Sequence, residues 1–73
     1  MIFDPTLARK ISELMLEFSA RLDASVADVQ DHCTSAEFNA YRQAIGIVLS
    51  DMLFEIMNPL YATHPNIKPA EIT

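Results

Sequence analysis

Apolar residues return every three or four positions over two long stretches of this chain, and no stretch alternates in the period of two that a strand needs. In the first, Leu7, Ile11, Leu14, Met15, Phe18 and Leu22 fall within an arc of roughly 100° on a helical wheel. Val26, Val29 and Cys33 continue that stripe in phase. Asp4-Pro5 supplies the start, because an Asp cap accepts an orphan backbone N–H while proline at the first helical position forfeits no hydrogen bond. One reading is a single helix from Pro5 to about His32. The competing reading breaks it near residue 24, at Asp23 or Ala24, and restarts it on the capping-box pattern Ser25-Val26-Ala27-Asp28.

Thr34-Ser35-Ala36-Glu37 is a stronger capping box and stands directly before the second stretch. The spacing predicts a helix from Ser35 to about Met57, with Phe38, Tyr41, Ile45, Val48, Leu49, Met52, Leu53 and Ile56 on its main face. Asn58-Pro59 predicts its end, since the residue before a proline is pushed out of the helical region. The chain then divides into a helical hairpin domain, 1–58, and a C-terminal tail, 59–73. The tail holds three of the four prolines and packs on the end of the bundle or extends from it, with room for one helical turn at Leu60 to Thr63. A helix from Pro5 to His32 would be about 42 Å long and one from Ser35 to Met57 about 35 Å. Either the first helix breaks, or the tail returns over its overhang with Leu60, Tyr61, Ile67 and Ile72. The short Cys33-Thr34 connection makes the helices antiparallel neighbours.

The second helix carries more apolar surface than one partner helix can cover. Its main face spans roughly 140°, yet Ile47 and Phe54 project about 170° from the centre of that face, in line with Ala36 and Ala40. Between the faces run Asn39, Gln43, Gly46 and Ser50, and the small Gly46 and Ser50 would admit another backbone at close range. A glycine inside a helix costs about 1 kcal/mol relative to alanine, which favours a packing role for it. The candidate interface is therefore Ile47, Phe54, Ala40, Gly46, Ser50 and Met57. Three occupants compete for it: the chain's own tail, a second copy completing a four-helix bundle, or a different protein.

Size and charge narrow the function. A compact 8.2 kDa chain exposes about 4,500 Å², and so small a core leaves a lone monomer marginal, while a single cysteine cannot form an internal disulfide. Ten acidic against five basic residues give −5, a sign that opposes the phosphate backbone of nucleic acids. Arg9, Lys10, Arg21, Arg42 and Lys68 form no cluster that would reverse it. The longest apolar run, Ala44 to Met57, contains Asp51 and Glu55 and is too short for a membrane span. The N-terminus lacks the basic-then-apolar pattern of a signal peptide. The expectation is a cytoplasmic protein without direct contact to nucleic acid or membrane.

Chemistry has few footholds. Asp28, Asp31, His32, Cys33 and Glu37 are metal-type ligands, but no CxxC or HxxxH pair joins them and the predicted turn separates them, so they read as a solvated acidic face rather than a metal site. Cys33, in phase with the apolar stripe, reads as a small packed hydrophobe. No phosphate loop, nucleotide fingerprint or nucleophile elbow occurs, and Glu13 and Glu17 are flanked at one turn by Arg9 and Arg21, the pattern of a solvated helix face. Nothing points to catalysis, a cofactor or a metal. Tyr61 and His64 are the candidate recognition residues of the tail, with the capping of the bundle end as their competing role.

The reading is an all-α antiparallel helical hairpin, joined as a homodimer into a four-helix bundle, that works as a non-enzymatic protein-interaction module of the regulator, adaptor or inhibitor type. Its partners are itself and another protein, and Asp23, Asp28, Asp31, Asp51 and Glu55 would steer a basic one. The alternatives are a regulator acting through a DNA-binding partner, and a metal- or redox-sensing module resting on His32 and Cys33.

Overall fold

In the computed structural model, which describes residues 1–69, two long helices run antiparallel and lie side by side. Helix α1 spans Pro5–His32 without a break. The Asp4 carboxylate accepts the N–H groups of Thr6 and Leu7 at 2.9 and 3.2 Å, as the Asp-Pro start requires. The interruption expected near residue 24 does not occur. Ser25 is not a cap: its hydroxyl donates to the Leu22 carbonyl at 2.6 Å and meets the Tyr41 hydroxyl across the hairpin at 2.7 Å.

Helix α2, Ser35–Asp51, opens on the capping box. Glu37 N–H donates to Thr34 Oγ1 at 3.2 Å, and the Glu37 carboxylate accepts from the Thr34 backbone N–H at 3.0 Å and its hydroxyl at 2.9 Å. The stop predicted at Asn58-Pro59 is overridden. A π-helical segment, Met52–Met57, leads without interruption into α3, Asn58–Thr63. At the end of the π segment the Asn58 N–H reaches back five residues to the Leu53 carbonyl. This wider turn carries the helix past Pro59, which has no N–H to give and whose ring crowds the carbonyl four residues earlier. A 3-10 turn, Pro65–Ile67, follows. The combined helix Ser35–Thr63 has 29 residues against the 28 of α1. The length mismatch is removed because the helix continues through residue 58 and carries Leu60 and Tyr61, named above for covering the overhang, onto Ala8, with Ile67 packed against them.

The seam on α1 mixes small residues with larger ones. Ala8, Ser12, Met15, Ser19, Leu22, Val26 and Val29 are buried or half-buried, at alternating steps of four and three that keep one line facing a neighbour helix. Their α2 counterparts are Phe38, Tyr41, Ile45, Leu49 and Met52. From the end of the π segment onward the inward positions become Met57, Leu60, Tyr61 and His64, one residue later than a regular continuation would place them. The densest packing lies at that end, where Ala8, Met57, Leu60 and Tyr61 are buried together and Ile2, Ile11, Met15, Leu53 and Ile67 pack around them. Of the apolar tail residues, Ile72 lies outside the described residues.

Candidate interaction surfaces

The sequence-derived candidates separate into two groups. Ile47 and Phe54 are 59% and 64% exposed, and neither lies beneath the described part of the tail, so that competing role is withdrawn for them. Ala40, Gly46 and Ser50 are exposed as well, and a Cβ built on Gly46 would meet nothing within 4 Å. Met57 belongs to the core, with 4% exposure, because the π segment turns it inward. It is removed from the interface.

The tail candidates are spent on the fold. Tyr61 is packed at the bundle end: the ring lies in the core and the hydroxyl meets Ser12 Oγ at 2.6 Å. His64 Nε2 lies 2.6 Å from the Ile2 carbonyl oxygen. That oxygen can only accept, so Nε2 carries the proton in this bond. The Met1 ammonium donates to Thr63 Oγ1 at 3.0 Å, and these two bonds tie residues 1–2 to the end of α3. No buried side-chain nitrogen or oxygen among the described residues lacks a partner.

Cys33 is exposed rather than packed. The helix ends at His32 and the extended backbone of Cys33, at φ −123° and ψ 169°, takes its side chain out of the stripe. His32 Nδ1 donates to the Asp28 carbonyl at 2.9 Å, and among the described residues no group of three or more His, Cys, Asp or Glu side chains could hold a metal ion. Arg21 approaches Glu17 at 4.0 Å with both side chains largely exposed, a contact that contributes little. The Arg42 guanidinium sits 5.9 Å from the centre of the Phe38 ring, one turn away. The Glu37 carboxyl is held below its ordinary pKa, chiefly by the Thr34 backbone N–H, then by the Thr34 hydroxyl.

A second apolar surface escaped the sequence reading because its residues were assigned to the seam. Leu7, Leu14 and Phe18 on α1 and Val48 on α2 all remain exposed, Phe18 by 45% and Val48 by 44%. Their signal was present: the stripes were wider than two helices lying side by side can bury. The apolar run Ala44–Met57 lies within the continuous helix Ser35–Thr63. By length and composition this helix could cross a membrane. In such a span Asp51 alone would cost about 2.5–3.5 kcal/mol near the bilayer centre.

Comparison with protein-family descriptions, with curated proteins and with solved structures finds no match.

Proposed function

We propose that this chain is a small non-enzymatic protein-interaction module that works as a homodimer, two hairpins forming a four-helix bundle, and that recruits another protein. What supports the reading is the set of large apolar side chains left in water on both helices, above all Phe54, Ile47, Phe18 and Val48. Apolar side chains in continuous lines on a small protein mark surfaces that other proteins cover. A second copy would also supply stability that a two-helix core lacks. The acidic surface, with Asp23, Asp28, Asp31, Asp51 and Glu55 exposed, favours a partner with a basic face.

The test is the solution mass by light scattering across a concentration series, with helicity followed by circular dichroism in the same samples. The expected result is twice 8.2 kDa, with mass and helicity falling together on dilution. A fully helical particle of 8.2 kDa at every concentration refutes self-association.

A further inference from the structure

The side of α2 turned away from α1 joins apolar side chains to charge of one sign. Ile47 and Phe54, seven residues apart on one line of the helix, are among its most exposed large apolar side chains. Asp51 stands between them, four residues after Ile47 and three before Phe54, and Glu55 follows one turn after Asp51. All four side chains are exposed, as are Ala40 and Ala44, which carry the line back toward the hairpin turn with small residues.

No cation of the helix balances these carboxylates. The continuous helix Ser35–Thr63 holds Glu37, Asp51 and Glu55 against one basic residue, Arg42. Arg42 lies over the Phe38 ring, five residues and so about 140° round the helix from Ile47. Among the described residues the one ion pair joins Arg21 to Glu17 on α1.

We propose that the outer side of α2 seats a basic amphipathic helix of another protein, with the partner's apolar stripe on Ile47 and Phe54 and its lysines or arginines on Asp51 and Glu55. The assignment rests on the recruitment proposed above and adds the face and the partner's chemistry. Charge complementarity selects the occupant. A purely apolar partner covering Ile47 and Phe54 would strip water from Asp51, which stands between them, and give it nothing in return. Lysine and arginine meet both needs, because their stems cover apolar surface while their charged ends reach the carboxylates. A guanidinium also stacks on an aromatic ring, as Arg42 does on Phe38 at 5.9 Å. Asp51 and Glu55, four residues apart, are matched by cations one turn apart on a facing helix, and the small Ala40, Ala44 and Ser50 let such a helix approach closely. A second copy laid with this side inward would set carboxylates against carboxylates, in a chain that already carries −5.

The whole chain, tethered through the exposed Cys33 thiol, is panned with a phage library of random peptides. Enriched peptides are then titrated by fluorescence anisotropy into wild type, Asp51→Lys/Glu55→Lys, Phe54→Gln and Phe18→Gln, with helicity checked by circular dichroism and mass by light scattering. Expected are peptides that repeat lysine or arginine and large apolar residues at helical spacing and bind less tightly as salt rises. Their affinity should fall by about tenfold in the double charge variant and fall in Phe54→Gln, while Phe18→Gln leaves it unchanged. Peptides with glutamate in place of each lysine and arginine should prefer the double charge variant to wild type. Asp51 and Glu55 are exposed, so their reversal leaves the seam intact and decides the matter even where Phe54→Gln loses helicity. A library from which nothing is enriched overturns recruitment itself. Enriched peptides without basic residues, or binding that survives the charge reversal or is lost only in Phe18→Gln, leave recruitment standing and overturn this face. A change of solution mass in the double charge variant places a second copy here and overturns the assignment likewise.

Discussion

The buried Ser12–Tyr61 pair leads to an asymmetric prediction. Ser12 is 4% exposed and Tyr61 likewise, and their oxygens are 2.6 Å apart, so neither hydroxyl has water as a substitute partner. They differ in what each can do alone. Ser12 sits inside α1, where a serine can rotate to donate to the carbonyl four residues back; Ser19 does so to Met15 at 2.8 Å. In Tyr61→Phe, Ser12 therefore turns to the Ala8 carbonyl and the loss stays below about 1 kcal/mol. The Tyr61 hydroxyl is held at the end of a rigid, packed ring and has no second partner. Ser12→Ala strands it at a cost of about 1–3 kcal/mol, offset by roughly 0.5 kcal/mol of helix propensity. The double variant carries no unpaired hydroxyl, so it should be more stable than the sum of the singles by about 1–2 kcal/mol. For a chain of this length the whole stability is about 4–11 kcal/mol, which makes these differences readable in urea titrations followed by circular dichroism. Protein concentration is held fixed, because a dimer's midpoint depends on it. Ser19→Ala measures the propensity gain separately. Strict additivity, or a Tyr61→Phe loss larger than that of Ser12→Ala, would refute the reasoning.

Gly46→Ala should stabilise the chain by about 0.5–1 kcal/mol in the same titration, since its Cβ would meet nothing; a destabilised variant of reduced mass would show instead that a second copy packs on the Gly46 side. Thr34→Ala should cost about 1 kcal/mol through loss of the α2 cap, against little change for Ser35→Ala beside it. The Glu37 carboxyl is held below its ordinary pKa when folded, so its contribution is complete above the unfolded value of about 4.3 and fades as pH falls through the lowered folded value. The stability difference between wild type and Glu37→Gln should accordingly be flat at neutral pH and shrink in acid, and a difference that grows in acid would contradict the assignment.

Local signals made most of the hairpin legible. Asp4-Pro5 and Thr34–Glu37 start the helices where the structure has them, because a cap is satisfied by neighbours three or four residues away and needs no tertiary partner. Ser25 misled as a second start: the same hydroxyl that can cap a helix can bond a carbonyl within one, and Tyr41 across the hairpin favoured the latter. The seam on α1 was only partly legible. Periodicity picks out large residues, but two helices approach most closely over small ones, so Ala8 and Ser12 became the buried line while Leu7, Leu14 and Phe18 were left at its edge. The candidate interface was legible for Ile47 and Phe54, which depend on α2 alone. It was not legible for Met57, Tyr61 or His64, which lie at or beyond a register shift that no local pattern announces.

That shift also explains why the hairpin is finished at one end and open in the middle. A proline inside a helix costs about 3 kcal/mol. Burying Leu60 returns about 1.5–3 kcal/mol, and Tyr61, with about 150–250 Å² of ring surface, returns about 4–6 kcal/mol at 25 cal/mol per Å². Packing therefore outweighs the proline, and the π segment resolves the conflict by relieving the crowding at Pro59 and rotating the residues after it onto Ala8 and Ser12. Before the segment no such rotation occurs. There α2 keeps its ordinary period, one face meets α1, and Ile47 and Val48 remain outside. Opposite them, the α1 seam of Met15, Ser19 and Leu22 meets α2 without drawing in Leu14 or Phe18. The middle of the hairpin is thus left with large apolar side chains in water, Leu14 and Phe18 on α1 and Ile47 and Val48 on α2.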